Sequence, residues 1–186
     1  MKAIIGLGNI GKGYDNTYHN LGFKVVDALS KKVKAKFNIE KCKSLIAQAE
    51  YNGEEFLIVK PTTFMNASGQ AVEQICKKYK IKTQDLIIVC DDIDIECGTY
   101  RFRTSGSGGT HNGLRNIIEV LQKDNFNRLR IGCGKDNSMP LKDYILSPID
   151  PYKKETLNKV IDSASSFLLE FIFYTKEQMQ NQTFKV

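Results

Sequence analysis

The sequence lacks the features of membrane, secreted and disulfide-rich proteins. None of its apolar stretches approaches about 20 residues, the length that a helix needs to cross a bilayer. The apolar start of the chain is interrupted at Gly6, so the long apolar region of a secretory signal peptide is missing. The five cysteines are odd in number and show no C-x-x-C spacing, which favours reduced thiols over disulfides or metal ligands. We therefore expect a cytoplasmic protein.

Histidine is also scarce, which limits the chemistry available to the chain. The two histidines, His19 and His111, lack H-x-x-x-H spacing, so we expect no metal site. No Ser or Cys stands in a nucleophile-elbow pattern, which favours direct attack by water over an acyl-enzyme. A G-x-G-x-x-G pattern begins at Gly6, as in dinucleotide sites. Because the loop continues past its third glycine and the next relevant acid, Asp27, falls on a predicted helix, we expect no cofactor.

Composition and periodicity predict one folded domain covering residues 1–186. Apolar residues make up 41% and charged residues 26%, as in globular proteins, and no repeat, linker or low-complexity tract is evident. Strand-like and helix-like runs alternate, which predicts an α/β fold: a three-layer sandwich with a mixed, mostly parallel twisted sheet and helices on both faces. The predicted strands lie at 2–7, 45–51, 55–60, 86–90, 98–104 and 128–133. The predicted helices lie at 20–33, 68–79, 112–122 and, after a loop over 136–148, at about 151–174, where the helix is amphipathic.

Polar segments follow several predicted strands, at the sheet edge where α/β sites gather. A histidine takes a proton from water at neutral pH, and a carboxylate on its other nitrogen fixes the tautomer. Carboxamides donate to a developing oxyanion without adding charge. These segments together carry the groups for hydrolysis by activated water, although a lone histidine is more often structural. Their polar residues include Asn9, His19, Asn66, Asp91, His111 and Asn112.

Arginine is confined to one part of the chain. Lys and Arg total 27 and the formal net charge is +6, but lysines are scattered whereas the arginines share one short window. Guanidinium groups offer planar, paired donors that suit phosphate, so this window is a candidate anion-binding surface. Structural ion pairing is the alternative. The arginines are Arg101, Arg103, Arg115, Arg128 and Arg130.

Four blocks of the sequence, in order, resemble the signature blocks of bacterial peptidyl-tRNA hydrolase, and the resemblance covers nearly the whole chain. A fifth segment, Arg128-Leu129-Arg130-Ile131-Gly132, follows them. The four blocks are Gly6-Leu7-Gly8-Asn9-x-Gly11-x-x-Tyr14-x-x-Thr17-x-His19-Asn20-x-Gly22-Phe23, Lys60-Pro61-x-Thr63-Phe64-Met65-Asn66-x-Ser68-Gly69, Asp91-x-x-Asp94 and His111-Asn112-Gly113-Leu114.

The resemblance implies hydrolysis of the ester that joins a peptide to the 3′-terminal ribose of tRNA, which releases both from prematurely dropped chains. By matching position, His19 is the general base that activates water, and Asp91 holds it in its basic form. Asn9 matches the residue that distinguishes a peptidyl amine from a free one. This mechanism requires a ring nitrogen of His19 within hydrogen-bond reach of Asp91. The positions that match contacts to the tRNA end or the peptide are Tyr14, Phe64, Asn66 and Asn112, with Met65 and His111 lining the cleft.

The implied partner is peptidyl-tRNA, through its 3′ CCA end and acceptor stem. The family expectation is a monomer without a membrane contact or an obligate protein partner. The chain departs from the family pattern at Ile10, Tyr18 and Thr110, which stand in place of Pro, Arg and Gly; these departures affect loop geometry rather than a catalytic group. The main rival is a noncatalytic RNA-binding module of the same fold. The arginines expected to contact acceptor-stem phosphates are Arg101, Arg103, Arg128 and Arg130.

Overall fold

The computed structural model describes the backbone of residues 1–186 and the side chains of all of them except Lys176. Short 3-10 turns separate several of the main elements and carry part of the site. In chain order the helices and strands are β1 (Lys2–Gly6), α1 (Leu21–Lys32), β2 (Ile39–Lys41), β3 (Ser44–Tyr51), β4 (Glu54–Pro61), α2 (Ser68–Tyr79), β5 (Leu86–Asp92), β6 (Thr99–Arg103), α3 (Asn112–Leu121), β7 (Asn127–Gly132), α4 (Leu141–Leu146), α5 (Pro151–Phe171) and β8 (Gln182–Lys185).

The strands form one eight-stranded sheet in the order β2-β3-β4-β1-β5-β7-β6-β8. The mixed sheet is therefore confirmed, but the expectation that it is mostly parallel holds only for the four central strands, β4, β1, β5 and β7. The outer pairs are antiparallel. Between β3 and β4 the cause is the tight turn at Asn52 and Gly53, whose φ angles of 49° and 85° suit a two-residue hairpin. Such a hairpin joins only antiparallel strands.

Helices cover both faces of the sheet, which confirms the three-layer α/β sandwich. On one face, α1 and α5 pack their apolar stripes against a core that includes Ile4, Val89 and Leu129. On the other face, α2 and α3 cover a second core that includes Ile5 and Ile88. Neighbouring residues of the central strands thus serve opposite cores, because side chains alternate along a strand. Across the described residues, no helix is both long and apolar enough to span a membrane.

Three elements of the structure were absent from the predictions. Strands β2 and β8 are short edge strands of three and four residues, with much of their side-chain surface exposed. Helix α4 has six residues and lies inside the segment 136–148, which was predicted to be a loop. It begins directly after Pro140, a residue whose fixed φ suits the start of a helix. Helix α5 ends at Phe171, close to the predicted end.

Candidate active site

His19 and Asp91 meet at the carboxyl edge of the central strands. His19 lies in the 3-10 turn Tyr18–Asn20 between β1 and α1, and Asp91 is near the end of β5. The Nδ1 atom of His19 is 2.8 Å from Oδ1 of Asp91, and both side chains are buried. Burial by itself raises the pKa of Asp91, but the imidazoles of His19 and His111 together bring that pKa well below its ordinary value. Asp91 is therefore ionised and acts only as an acceptor.

His111 contacts the same carboxylate oxygen from the other side. Its Nε2 atom is 3.0 Å from Oδ1 of Asp91, while its Nδ1 accepts the backbone N–H of Leu114 at 3.2 Å and so caps α3. Because Nδ1 accepts a hydrogen bond, the proton of the neutral ring must be on Nε2. Both nitrogens of His111 are thus engaged. Among the described side chains, His19 is bonded only through Nδ1, so its Nε2 is the imidazole nitrogen left for a substrate or water.

Asn9 is held in place by Asn20, a residue for which no role was predicted from the sequence. Asn20 accepts the backbone N–H of Asn9 through Oδ1 at 2.8 Å and donates from Nδ2 to the carbonyl of Asn9 at 2.9 Å. The side-chain oxygen of Asn9 accepts the N–H of Met65 at 2.9 Å. The carboxamide of Asn9 is therefore oriented with its Nδ2 donor left for a ligand. The only sequence signal for Asn20 was its position directly after His19 in a matched block.

An open cleft extends from His19 between the loop after β4 and helix α4. Phe64 forms one rim, with the residue 60% exposed and its ring edge-on to Tyr14 at a centroid distance of 6.5 Å. Helix α4 forms the opposite wall, where a loop was predicted from the sequence. The structure brings six of the predicted site residues together as lining of this cleft. Its lining residues are Asn9, His19, Phe64, Met65, Asn66, Asn112, Lys142, Ile145 and Leu146.

Asp91 and the two histidines are close enough together to be considered as metal ligands. One ligand atom from each of His19, Asp91 and His111 lies within 4.8 Å of the others. However, Nε2 of His111 carries a proton as long as Nδ1 accepts the N–H of Leu114, and a protonated nitrogen has no lone pair for a metal. Coordination would require the loss of this helix cap. The arrangement fits a hydrogen-bonded carboxylate better than a resident ion.

Four of the five arginines in the window fold into a cross-strand group on β6 and β7, whereas Arg115 lies on α3. Arg101 lies directly opposite Arg130, and Arg103 lies opposite Arg128, so all four side chains start from the same face of the sheet. Arg130 lines the inner part of the site beside His19, and its Nε is 2.8 Å from Oδ2 of Asp92. Arg101 and Arg103 are partly exposed. The window therefore does cluster in space, as its spacing in the sequence suggested.

Arg128 does not belong with the other three, which corrects its assignment to the tRNA-binding set. Its side chain is buried, with the whole residue 1% exposed. The guanidinium donates to four backbone carbonyls, those of Gly106, Ser107, Asp124 and Phe126. Burial also lowers its pKa. Arg128 thus closes the loop before α3 onto the loop before β7, out of reach of a phosphate.

Arg128→Ala is therefore expected to destabilise the fold rather than to weaken substrate binding. Loss of the buried guanidinium leaves several carbonyls without donors and should lower the free energy of unfolding by about 3 kcal/mol. For a chain of this size that loss corresponds to a fall in Tm of about 10 °C. Thermal unfolding measures it directly. A variant as stable as the wild type but weaker in tRNA binding would contradict the structural role.

The three departures from the family pattern lie around the site without replacing any of its polar groups. Ile10 is partly exposed on the loop that Asn20 holds. Tyr18 is buried, and its hydroxyl accepts the backbone N–H of Asp150 at 3.1 Å. Its ring also packs on Tyr144 of α4 at a centroid distance of 4.6 Å. Tyr18 thus ties the turn that carries His19 to the wall of the cleft.

The chain is similar to known proteins in both sequence and structure. The family model described as peptidyl-tRNA hydrolase matches residues 3–185. The peptidyl-tRNA hydrolase of Finegoldia magna is 41% identical over 92% of this chain and 91% of its own, and that of Chlorobaculum parvum is 40% identical over 98% and 97%. The crystal structure of the Acinetobacter baumannii peptidyl-tRNA hydrolase superposes with a TM-score of 0.88 at 33% identity, covering 92% of this chain and 88% of that one. On these grounds the chain belongs to the peptidyl-tRNA hydrolase family.

Proposed function

We propose that the chain carries out the hydrolysis of peptidyl-tRNA that is the function of its family, with His19 as the general base. The observation that carries this proposal is the hydrogen bond from Nδ1 of His19 to the buried carboxylate of Asp91. An ionised carboxylate can only accept, so it requires the proton on Nδ1 and leaves the lone pair on Nε2. Among the side chains that the structure describes, none contacts that Nε2 as a hydrogen-bond partner.

The proposed reaction uses this lone pair to activate water. Nε2 of His19 takes a proton from a water molecule as its oxygen attacks the ester carbonyl, and the tetrahedral oxyanion then expels the 3′ oxygen of the ribose. The imidazolium returns the proton to that leaving oxygen. Asp91 stays ionised throughout, because its pKa is held low, and stabilises the imidazolium by charge. The products are tRNA with a free 3′-terminal ribose and a peptide with a free carboxylate.

The orientation of Asn9 supports a preference for blocked amines. Since its Oδ1 accepts the N–H of Met65, it presents Nδ2 as a donor to the cleft. A peptidyl substrate carries an amide carbonyl on the amine of its last residue, whereas an aminoacyl substrate carries an ammonium group. A donor suits the carbonyl and repels the ammonium group, so Asn9 favours peptidyl-tRNA and spares the aminoacyl-tRNA needed for translation.

The surface beside the cleft supports contacts to the tRNA itself. The exposed ring of Phe64, with Tyr14 against it, offers an aromatic platform for a single-stranded 3′ base. Burial and the neighbouring charges of Arg101 and Arg130 lower the pKa of Arg103, so three guanidiniums repel one another across this strip. A phosphate of the acceptor stem would relieve that repulsion. All of these groups belong to one chain, so the proposed site is complete without a second subunit.

Arg103→Ala is expected to raise KM for peptidyl-tRNA while leaving the chemistry unchanged. Loss of one phosphate contact should raise KM about fivefold and reduce the salt dependence of binding. A CCA trinucleotide with the same ester lacks the acceptor stem, so its kinetics should not change. Nη1 of Arg103 also donates to the carbonyls of Phe102 and Gln182, so Tm must be measured alongside. Equal losses on both substrates would contradict a role in binding the stem.

The proposed function is tested by incubating the protein with N-acetyl-aminoacyl-tRNA and with unblocked aminoacyl-tRNA carrying the same amino acid. We expect rapid release of N-acetyl amino acid from the first and little release from the second. Binding of both tRNAs without hydrolysis of either would favour a noncatalytic RNA-binding module. Hydrolysis of both at similar rates would retain the esterase but contradict the role of Asn9.

A further inference from the structure

Asp92 follows Asp91 directly, but its side chain lies on the opposite side of strand β5, since neighbouring side chains of a strand alternate. Its carboxylate is buried, and each oxygen has a partner. Oδ1 accepts the backbone N–H of Asp94 at 2.8 Å, and Oδ2 forms an ion pair with Arg130 at 2.8 Å from Nε, although the Nε–H bond is not directed at a hydrogen-bond acceptor. The first contact fixes the carboxylate on the turn after β5. The second contact therefore ties Arg130 to a carboxylate whose position is fixed.

Without this contact, repulsion from a neighbouring guanidinium would displace Arg130. It lies directly opposite Arg101 across β6 and β7, and two like charges in that position repel. Asp92 is the one acidic group that pairs with Arg130 among the side chains the structure describes. Because the ion pair engages Nε, the two terminal nitrogens of Arg130 stay available. Arg130 also borders the pocket that contains His19 and Asp91.

We infer that Asp92 is a positioning residue for the substrate: it fixes Arg130 so that the terminal nitrogens can bind a phosphate of the tRNA acceptor stem at the border of the pocket that contains His19. This inference rests on the proposed function, and in particular on tRNA binding by Arg130. Two terminal nitrogens on one planar group match two phosphate oxygens, which requires a fixed orientation of the guanidinium. Asp92 itself contacts neither the reacting ester nor the water.

Asp92→Asn separates this role from a simple effect of charge. If the amide oxygen keeps the N–H of Asp94, the amide nitrogen must face Nε of Arg130, so a neutral donor replaces the carboxylate oxygen that paired with the guanidinium charge. We expect Arg130 to be displaced and KM for peptidyl-tRNA to rise about tenfold, with kcat and the CCA trinucleotide ester little changed. A carboxylate that merely reduced the positive charge of the strip would give the opposite result, a lower KM, because the variant gains net positive charge. That result would overturn the inference.

A double-mutant cycle with Arg130→Ala shows whether Asp92 acts through Arg130. We expect Asp92→Asn to change KM by less than about twofold in the Arg130→Ala background, since the group it positions is gone. An undiminished effect in that background would contradict the inference. If Arg130→Ala alone leaves KM unchanged, then tRNA binding by Arg130 fails instead. Asp162→Asn is the matched control, because it removes a carboxylate paired with Lys32 at 2.8 Å on the other face of the sheet.

Discussion

His19→Ala is expected to lower kcat for hydrolysis of N-acetyl-aminoacyl-tRNA by about three to four orders of magnitude. The variant loses the lone pair that accepts the proton of water, and no second imidazole can replace it, because both nitrogens of His111 are engaged by Asp91 and Leu114. KM should change little, since the proposed tRNA contacts lie elsewhere. Single-turnover kinetics with radiolabelled substrate measure the loss.

Two control measurements show whether the effect of His19→Ala is specific to the loss of the base. The His19→Ala variant should still compete with the wild type for tRNA, which shows that the surface is intact. His111→Ala should have a smaller effect on kcat, because that ring supports Asp91 and the start of α3 rather than the attacking water. Substantial activity in His19→Ala, or equal losses in both histidine variants, would contradict the assignment of the base.

Asp91→Asn is expected to lower kcat by about two to three orders of magnitude without removing the imidazole. An amide oxygen can still accept the N–H of His19, so the ring keeps its place, but the imidazolium formed in the reaction loses its counter-charge. At a separation of about 4 Å and an effective dielectric constant of about 20, that charge pair contributes about 4 kcal/mol, which sets the upper limit of the loss. The measurement is kcat on N-acetyl-aminoacyl-tRNA.

The stability of the Asp91→Asn variant, measured against pH, distinguishes the effect of the substitution on folding from its effect on catalysis. Since the pKa of Asp91 is depressed in the folded state, its ionised form stabilises the fold above the unfolded-state pKa near 4, and this contribution is lost as the pH falls. The difference in urea midpoint between wild type and variant should therefore shrink below a pH of about 4. A variant with full activity at neutral pH would contradict the role of the carboxylate.

The central part of the fold could be predicted from the sequence because its signals are local. The run from Leu86 to Cys90 is uniformly apolar, as in a strand covered on both faces, and the structure places it in the parallel centre of the sheet. Strand β8 could not be predicted in this way. Its residues are partly exposed, and it exists because its backbone pairs with the edge of β6, a contact distant in sequence. Helix α4 is too short to show a helical period.

The site, like the fold, could be predicted only in part from the sequence. The rule that strand ends gather polar groups placed His19 near Asp91, but a sequence cannot supply the 2.8 Å between them. The clustering of arginines in the sequence did predict a cluster in space. It could not separate Arg128 from Arg103, because that depends on strand register and on loops that close over one of the pair. Burial inside a group of carbonyls has no signature in residue spacing.

The tautomers of the two histidines provide the most direct test of the mechanism. Asp91 requires the proton of His19 to be on Nδ1, whereas the helix cap requires the proton of His111 to be on Nε2. With only two histidines in the chain, 15N NMR at a pH above the range in which histidine titrates can resolve both rings, and the two alanine variants assign the signals. We predict opposite tautomers, with the lone pair of His19 on Nε2. A His19 ring protonated on Nε2 would contradict its role as the base.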